Sequence, residues 1–138
     1  MLRRVFPASF SATVLALAGI LTGCGHPAAP APPPSRTVSG LVVTLTAGAD
    51  AHVGDNTFSV TLMDSETRAP VGNANITAKP QMLAPQMPGV GTSGRAQGNG
   101  LYTLPVRLAV ATRYDLSLTV ERPGHPVAQV SFPIEAAQ

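Results

Sequence analysis

Strict alternation of apolar and polar side chains is the feature that most limits what residues 37–138 can fold into. Along Arg113–Glu121, for example, every second residue is apolar and its neighbours are polar. Successive side chains of a strand point to opposite faces, so a period of two predicts strands with one buried face. The same alternation occurs in five more segments: Leu41–Thr46, Thr57–Leu62, Asn73–Ala78, Tyr102–Leu108 and Ala128–Ile134.

Turn-forming residues separate these segments, as in Val53–Asn56, Gly98–Gly100 and Arg122–Pro126. Half-buried strands suit antiparallel sheets, and two such sheets can cover each other's apolar faces. The pattern predicts an all-β fold, an immunoglobulin-like antiparallel β-sandwich of about seven strands. Pro105 and Pro133 are expected at sheet edges or bulges, because proline cannot donate to a strand ladder.

The N-terminus has the organisation of an export signal. Two arginines, Arg3 and Arg4, precede an apolar stretch that ends near Leu21. The stretch is shorter and less purely apolar than a membrane-spanning helix requires. Leu21-Thr22-Gly23-Cys24 resembles a lipobox, which implies cleavage after residue 23 and acylation of the Cys24 thiol. The alternative is an unmodified cysteine at the end of an ordinary signal peptide.

These features predict a signal peptide over 1–23, and a lipidated Cys24 with a Pro/Ala-rich tether over 24–36. The β-sandwich domain is expected over 37–138. The expected location is the periplasmic side of a bacterial cell envelope, with the membrane as a partner through the lipid anchor. Gly25 stands where an Asp would favour the inner membrane, so the outer membrane is favoured. Cys24 is the single cysteine, which leaves no partner for a disulfide within the chain.

Charge and motif content exclude several function classes. The chain has nine Lys and Arg and seven Asp and Glu, and removal of Arg3 and Arg4 balances the two signs. Without a basic face, nucleic-acid binding is not expected. The sequence has no Gly-x-Ser-x-Gly elbow, Gly-rich phosphate loop, paired carboxylates or zinc-spaced His pair. A non-enzymatic protein without a cofactor is therefore predicted.

Five short motifs, in order, resemble the YtkA-like domain over roughly residues 38–134. They are Gly54–Asp64, Pro70–Val71 with Ala74–Ile76, Met82 with Met87–Gly89, Gly100–Tyr102, and Tyr114–Leu118. The resemblance implies a small β-sandwich of bacterial envelope proteins. The family occurs in lipoproteins and beside metal-efflux and oxidase-assembly components. Val90 departs from its pattern, since the family has a third Met at that position.

The uncharged segment from Pro80 to Gly94, predicted to be a loop, holds the candidate metal ligands Met82 and Met87. Thioethers are soft ligands that select Cu(I), and His52, His125 or Met63 would add ligands if the fold brought them close. Methionine also fills irregular gaps beneath loops. Because a separation of five residues matches no recognised ligand spacing, structural packing is the favoured interpretation.

Other polar residues have structural interpretations beside functional ones. His52 would bind metal with Asp50 or Asp55, but its segment also fits a solvated turn in which Asp and Asn bond their own backbone. His125 has the same two interpretations. Tyr102 is a candidate for a tyrosine-corner hydrogen bond. Four arginines are expected on solvated faces: Arg95, Arg107, Arg113 and Arg122.

Three functions remain open from the sequence. The first is an accessory module that presents a sandwich edge or loop to an unknown envelope protein. The second is a copper-binding or copper-handling lipoprotein that uses Met82 and Met87. The third is a carbohydrate- or peptidoglycan-associated module, for which exposed aromatic platforms are few.

Overall fold

The computed structural model describes residues 30–47 and 50–138. The described chain forms strands and turns and contains no helix. The ten strands are β1 Ser35–Val38, β2 Leu41–Ala47, β3 Gly54–Asp64, β4 Asn75–Leu83, β5 Gln86–Pro88, β6 Thr92–Ser93, β7 Arg95–Gly98, β8 Leu101–Leu108, β9 Arg113–Glu121 and β10 Ala128–Glu135. The expected signal peptide, Cys24 and the tether up to Ala29 lie outside the described residues.

The strands form two antiparallel sheets packed as a sandwich, which confirms the predicted fold class. The first sheet has the order β1-β2-β3-β8-β7. The second has the order β10-β9-β4-β5, with β6 also paired to β4. Strand β8 lies over β4, and β1 and β2 lie over β10.

The core is built from the inward-facing residues of both sheets, as the alternation predicts. Phe58 and Tyr102 from the first sheet and Phe132 from the second are among its largest fully buried side chains. Complete burial of a large apolar side chain contributes about 1.5–3 kcal/mol. The outward positions on the same strands are mostly Thr, Ser and charged residues, which accounts for the clean alternation in the sequence.

The structure has more strands than the seven or so predicted. Strand β1 begins at Ser35, inside the segment expected to be a tether. Strands β5, β6 and β7 are two to four residues long. Such short strands carry too little alternation to be recognised.

The two prolines differ in their surroundings. Pro133 lies on β10, which is an edge strand as predicted. Pro105 lies on β8, which has a strand on both sides. However, β7 pairs with β8 only from Leu101 to Thr103, so no β7 residue pairs with Pro105. The Thr92 hydroxyl donates to the Pro105 carbonyl at 2.6 Å in that region.

The sandwich has two ends that differ in their connections. The hairpin end carries the β4–β5 turn at Ala84–Pro85, the β8–β9 connection at 109–112 and the start of β3 at Gly54. The opposite end carries the turns at 39–40, 99–100 and 123–124. Strands cross the molecule between these ends, so residues at different ends are separated by most of a strand length.

Candidate metal and interaction site

Met82 and Met87 are direct partners across a β-hairpin. Strand β4 continues to Leu83 and pairs with β5 in the register Gln81↔Pro88, Met82↔Met87 and Leu83↔Gln86. The prediction of a loop from Pro80 to Gly94 is therefore wrong, since this segment contains the end of β4 together with β5 and β6. Residues directly opposite in an antiparallel pair have Cβ atoms about 4.5–5.5 Å apart, so the fold brings the two thioethers together.

The two methionines line a groove of about 230 Å³ at the hairpin end. Pro80 and Pro88 from the second sheet also line it, together with Arg107 on β8 and Val110 in the connection after β8. The Met87 side chain is 56% exposed, whereas Met82 is half-buried and packs against the core. The groove is mainly apolar and open to solvent, and Met87 is the more exposed of its two methionines.

A close backbone contact fixes the hairpin to its own strand. The Gly89 N–H donates to the Pro80 carbonyl at 2.7 Å. A Cβ on Gly89 would collide with the Pro80 carbonyl and ring. The Pro88-Gly89 sequence is therefore explained by packing, independently of any ligand.

Tyr114, the partner of Met82 on β9, fixes the β8–β9 connection that lines the groove at Val110. Its hydroxyl donates to the Val110 carbonyl at 3.0 Å and accepts from the Val110 N–H at 3.1 Å. Sequence reasoning missed both residues as part of the site. The available signal is a tyrosine near the start of a strand, just after a short connection, because a tyrosine corner bonds back to the backbone a few residues upstream. Tyr114 is the second residue of β9 and bonds to Val110, four residues before it.

His52 lies at the hairpin end, but on a different edge from the methionines. It forms a bridge with Ala137, just beyond β10. Strands β10 and β5 are at opposite edges of the second sheet, three strand spacings or about 14 Å apart. The backbone of His52 bonds to the side chain of Asn56 at 3.0 and 2.7 Å, a pattern that the turn interpretation expects.

The fold separates the remaining candidate ligands from Met82. His125 is exposed in the β9–β10 connection at the opposite end. Met82 pairs with Tyr114 at the start of β9, and seven residues of β9, about 23 Å, separate that level from Glu121. Met63 lies near the end of β3 in the other sheet, where it bridges to Pro70. Of the five candidate ligands, the fold pairs two.

Arg122 is buried, so the expectation that all four arginines lie on solvated faces is wrong for this residue. Its side chain is 7% exposed, and its guanidinium lies 3.5 Å from the Asp64 carboxylate and 3.3 Å from the Ser39 carbonyl. Arg95, Arg107 and Arg113 are exposed as expected. Arg107 and Arg113 form solvated ion pairs with Asp55 and Glu135, and exposed pairs of this kind contribute little to stability.

Tyr102 forms the hydrogen bonds expected of it. Its hydroxyl donates to the Val71 carbonyl at 2.9 Å and accepts from the Ala74 N–H at 3.1 Å. These bonds tie the connection after β3 to β8. The aromatic side chains of the described residues (Phe58, Tyr102, Tyr114 and Phe132) are all buried, so this part of the chain offers no aromatic sugar platform.

Within the described ranges, no three His, Cys, Asp or Glu side chains cluster as a metal site would require. No helix in the same ranges has the length and hydropathy to cross a bilayer. No protein-family model matches the chain, and no curated protein matches it significantly.

Proposed function

We propose that the chain is a non-enzymatic accessory module with a YtkA-like sandwich, anchored in the bacterial envelope by lipid on Cys24. It presents its folded domain to a partner protein on the periplasmic side. The observation that supports this proposal most is the Leu21–Cys24 sequence after an apolar signal, followed within a few residues by a proline-rich segment and a compact domain. Two acyl chains hold a protein stably on a membrane, where one does not.

The architecture of the domain is consistent with a display role. Its core is enclosed between two sheets, and its outward positions are mostly Ser, Thr and other polar side chains. Gly25 favours the outer membrane as the site of anchoring, because an Asp at that position is the feature that favours inner-membrane retention.

The test of the anchor is Cys24→Ala in the full-length chain. The variant lacks the thiol that receives the acyl group, so it should retain its signal peptide and incorporate no labelled palmitate. His26→Ala is the matched control, since it alters the same segment and keeps the thiol. Mass spectrometry and palmitate labelling measure the outcome. Normal processing and unchanged membrane fractionation of Cys24→Ala would refute the lipoprotein proposal.

The pairing of Met82 with Met87 favours a second candidate, Cu(I) binding on the hairpin. Two thioethers on adjacent strands can share one soft ion. Their groove is open, with Met87 exposed to solvent. Under this proposal the module handles copper in the envelope.

The copper proposal is tested by anaerobic titration of residues 30–138 with Cu(I) against a competing chelator. This range keeps β1, which begins before residue 37. Met87→Leu and Met82→Leu should each weaken binding at least tenfold, because each removes one of two ligands. Met63→Leu is the control, since Met63 lies in the other sheet. Equal affinities in all four proteins would exclude the hairpin as the site.

A further inference from the structure

Met87 is the most exposed methionine in the part of the chain that the structure describes. It is 56% exposed, whereas Met82 and Met63 are each half-buried. The difference follows from position, since Met87 lies on β5, a three-residue strand at the edge of its sheet, while Met82 lies on β4, between β5 and β9. A small solute in water therefore reaches the Met87 side chain more easily than the other two.

Met82 shares the sheet face of Met87 but has apolar surroundings. Strand β4 alternates between exposed and buried residues, and Met82 falls on the buried phase and packs against the core. Its partner on β9 is Tyr114, whose hydroxyl already donates to the Val110 carbonyl. A polar atom buried without a hydrogen bond is costly. A polar group on Met82 would therefore destabilise the fold, whereas one on Met87 would turn toward water.

Hydrogen peroxide oxidises a thioether without a cofactor. A lone pair on the sulfur attacks one oxygen of the peroxide, so that an S–O bond forms and the O–O bond breaks. The second oxygen leaves as water with both peroxide protons. The sulfur loses two electrons and the peroxide gains them. The product, methionine sulfoxide, is polar and can be reduced back to methionine by a sulfoxide reductase.

The lone pair that attacks peroxide is also the one that binds a soft ion. Cu(I) prefers thioethers to hard oxygen ligands, so oxidation of Met87 leaves Met82 as the single thioether of the hairpin. Met63 does not replace it, because its cross-strand neighbours are Val42 and Pro70, away from the hairpin. One oxidation therefore removes the ligand pair without placing a polar atom in the core.

From these observations we infer that Met87 is a reversible oxidation site that switches off soft-ion binding on the hairpin. The switch rests on the copper site proposed above and gives that site a regulation. Peroxide oxidises Met87 before Met82 and Met63, and the fold survives because the new oxygen faces water. A bound soft ion occupies the sulfur lone pair, so the loaded site resists oxidation.

The first measurement maps oxidation in the full-length chain in detergent. Cys24→Ser is included, because a free thiol would itself bind Cu(I) and react with peroxide. After limited exposure to hydrogen peroxide, peptide mass spectrometry should find sulfoxide at Met87 forming several-fold faster than at Met82 or Met63. Ag(I) serves as the soft ion, because it does not cycle between oxidation states as copper does. It should slow oxidation at Met87 several-fold and leave Met63 unaffected.

The second measurement is Cu(I) titration of the same chain against a competing chelator. Oxidation at Met87 should weaken binding about tenfold or more, because one of two thioethers is lost, and treatment with methionine sulfoxide reductase should restore it. Met87→Gln, a permanent polar replacement, should bind as weakly as the oxidised chain. Met63→Gln is the matched control on the other sheet and should bind like the reduced chain. Circular dichroism should show the same strand content throughout.

The two proposals fail in different measurements. Oxidation that begins at Met82 or Met63 overturns the switch alone, and so does equal Cu(I) affinity before and after oxidation of Met87. Oxidation at Met87 that Ag(I) does not slow is ordinary surface oxidation, and it also overturns the switch. Absence of Cu(I) binding by the reduced chain overturns the copper site and the switch together.

Discussion

Asp64 organises the turn that follows β3. Its Oδ1 atom accepts hydrogen bonds from the backbone N–H groups of Thr67 and Glu66, both at 3.0 Å. These bonds, the Thr67 one above all, lower the pKa of Asp64 below its ordinary value of 3.8, and Arg122 adds a smaller effect in the same direction. The ionised carboxylate is therefore favoured in the folded state.

The lowered pKa predicts a loss of stability in acid. The stabilisation is complete above pH 3.8, where Asp64 is ionised in both states, and disappears as the pH falls through the lower folded value. Asp64→Asn should therefore destabilise the domain at neutral pH. Its difference from the natural chain in free energy of unfolding should shrink below pH 3.8, and denaturant titrations between pH 7 and pH 2 measure this difference.

Asp55→Asn is the control for that prediction. Asp55 pairs with Arg107 at 3.4 Å, and both side chains are largely exposed. An exposed pair contributes at most about 1 kcal/mol, so this variant should unfold much like the natural chain at every pH. A constant gap between Asp64→Asn and the natural chain from neutral to acid pH would contradict the role given to the ionised carboxylate.

Single residues also show the limits of sequence reasoning at this scale. The Tyr102 hydrogen bond was predictable, because a tyrosine after a Gly turn at a strand start has a known local form. The burial of Arg122 was not, because its partners Asp64 and Ser39 are distant in sequence. Only the fold places them beside it.

Strand β4 is the element that sequence reasoning shortened. Pro80 interrupts its alternation, and a proline usually argues against the interior of a sheet. In the structure, Thr77 and Ala78 of β4 pair with β6, and β4 pairs with β5 from Gln81 onward. Pro80 lies between these two paired stretches. The strand therefore continues, and it is this continuation that sets Met82 opposite Met87.

The turn before β8 depends on Gly100. This residue is buried with a φ of +72°, and the Leu62 N–H donates to its carbonyl at 2.8 Å. A Cβ at this position would collide with the Leu62 carbonyl. Gly100→Ala should combine backbone strain with this collision, and we expect a loss of about 2–4 kcal/mol in the free energy of unfolding. Denaturant unfolding of the purified domain gives this value.

Gly124 provides a matched control, with a φ of +74° and open space around its Cβ position. Gly124→Ala carries the backbone strain without the collision, so its cost should be about 1 kcal/mol. If the two variants lost equal stability, the collision at Gly100 would have no energetic role.

For the molecule as a whole, the period of two predicted the all-β class and six of the strands. It could do so because a half-buried strand has apolar residues on its inward face and polar residues on its outward face. The order of strands was not predictable in the same way. Strand β3 pairs with β8, and β4 pairs with β9, across long stretches of chain. The positions of the candidate ligands depend on two different pairings. The local β4–β5 hairpin joins Met82 to Met87, and the long-range β4–β9 pairing places His125 at the other end.

The long-range pairing of β3 with β8 and of β4 with β9 also affects when the domain can fold during synthesis. Ribosomes deliver β2 and β3 early, yet the first sheet stays open beside β3 until Leu108 has been added. The second sheet lacks β9 until the chain reaches Glu121 and β10 until it reaches Glu135. Non-local pairing of this kind folds slowly and leaves strand edges exposed meanwhile. The nascent chain should therefore need a holding chaperone for most of its synthesis, since no part of the sandwich closes before the last strands arrive.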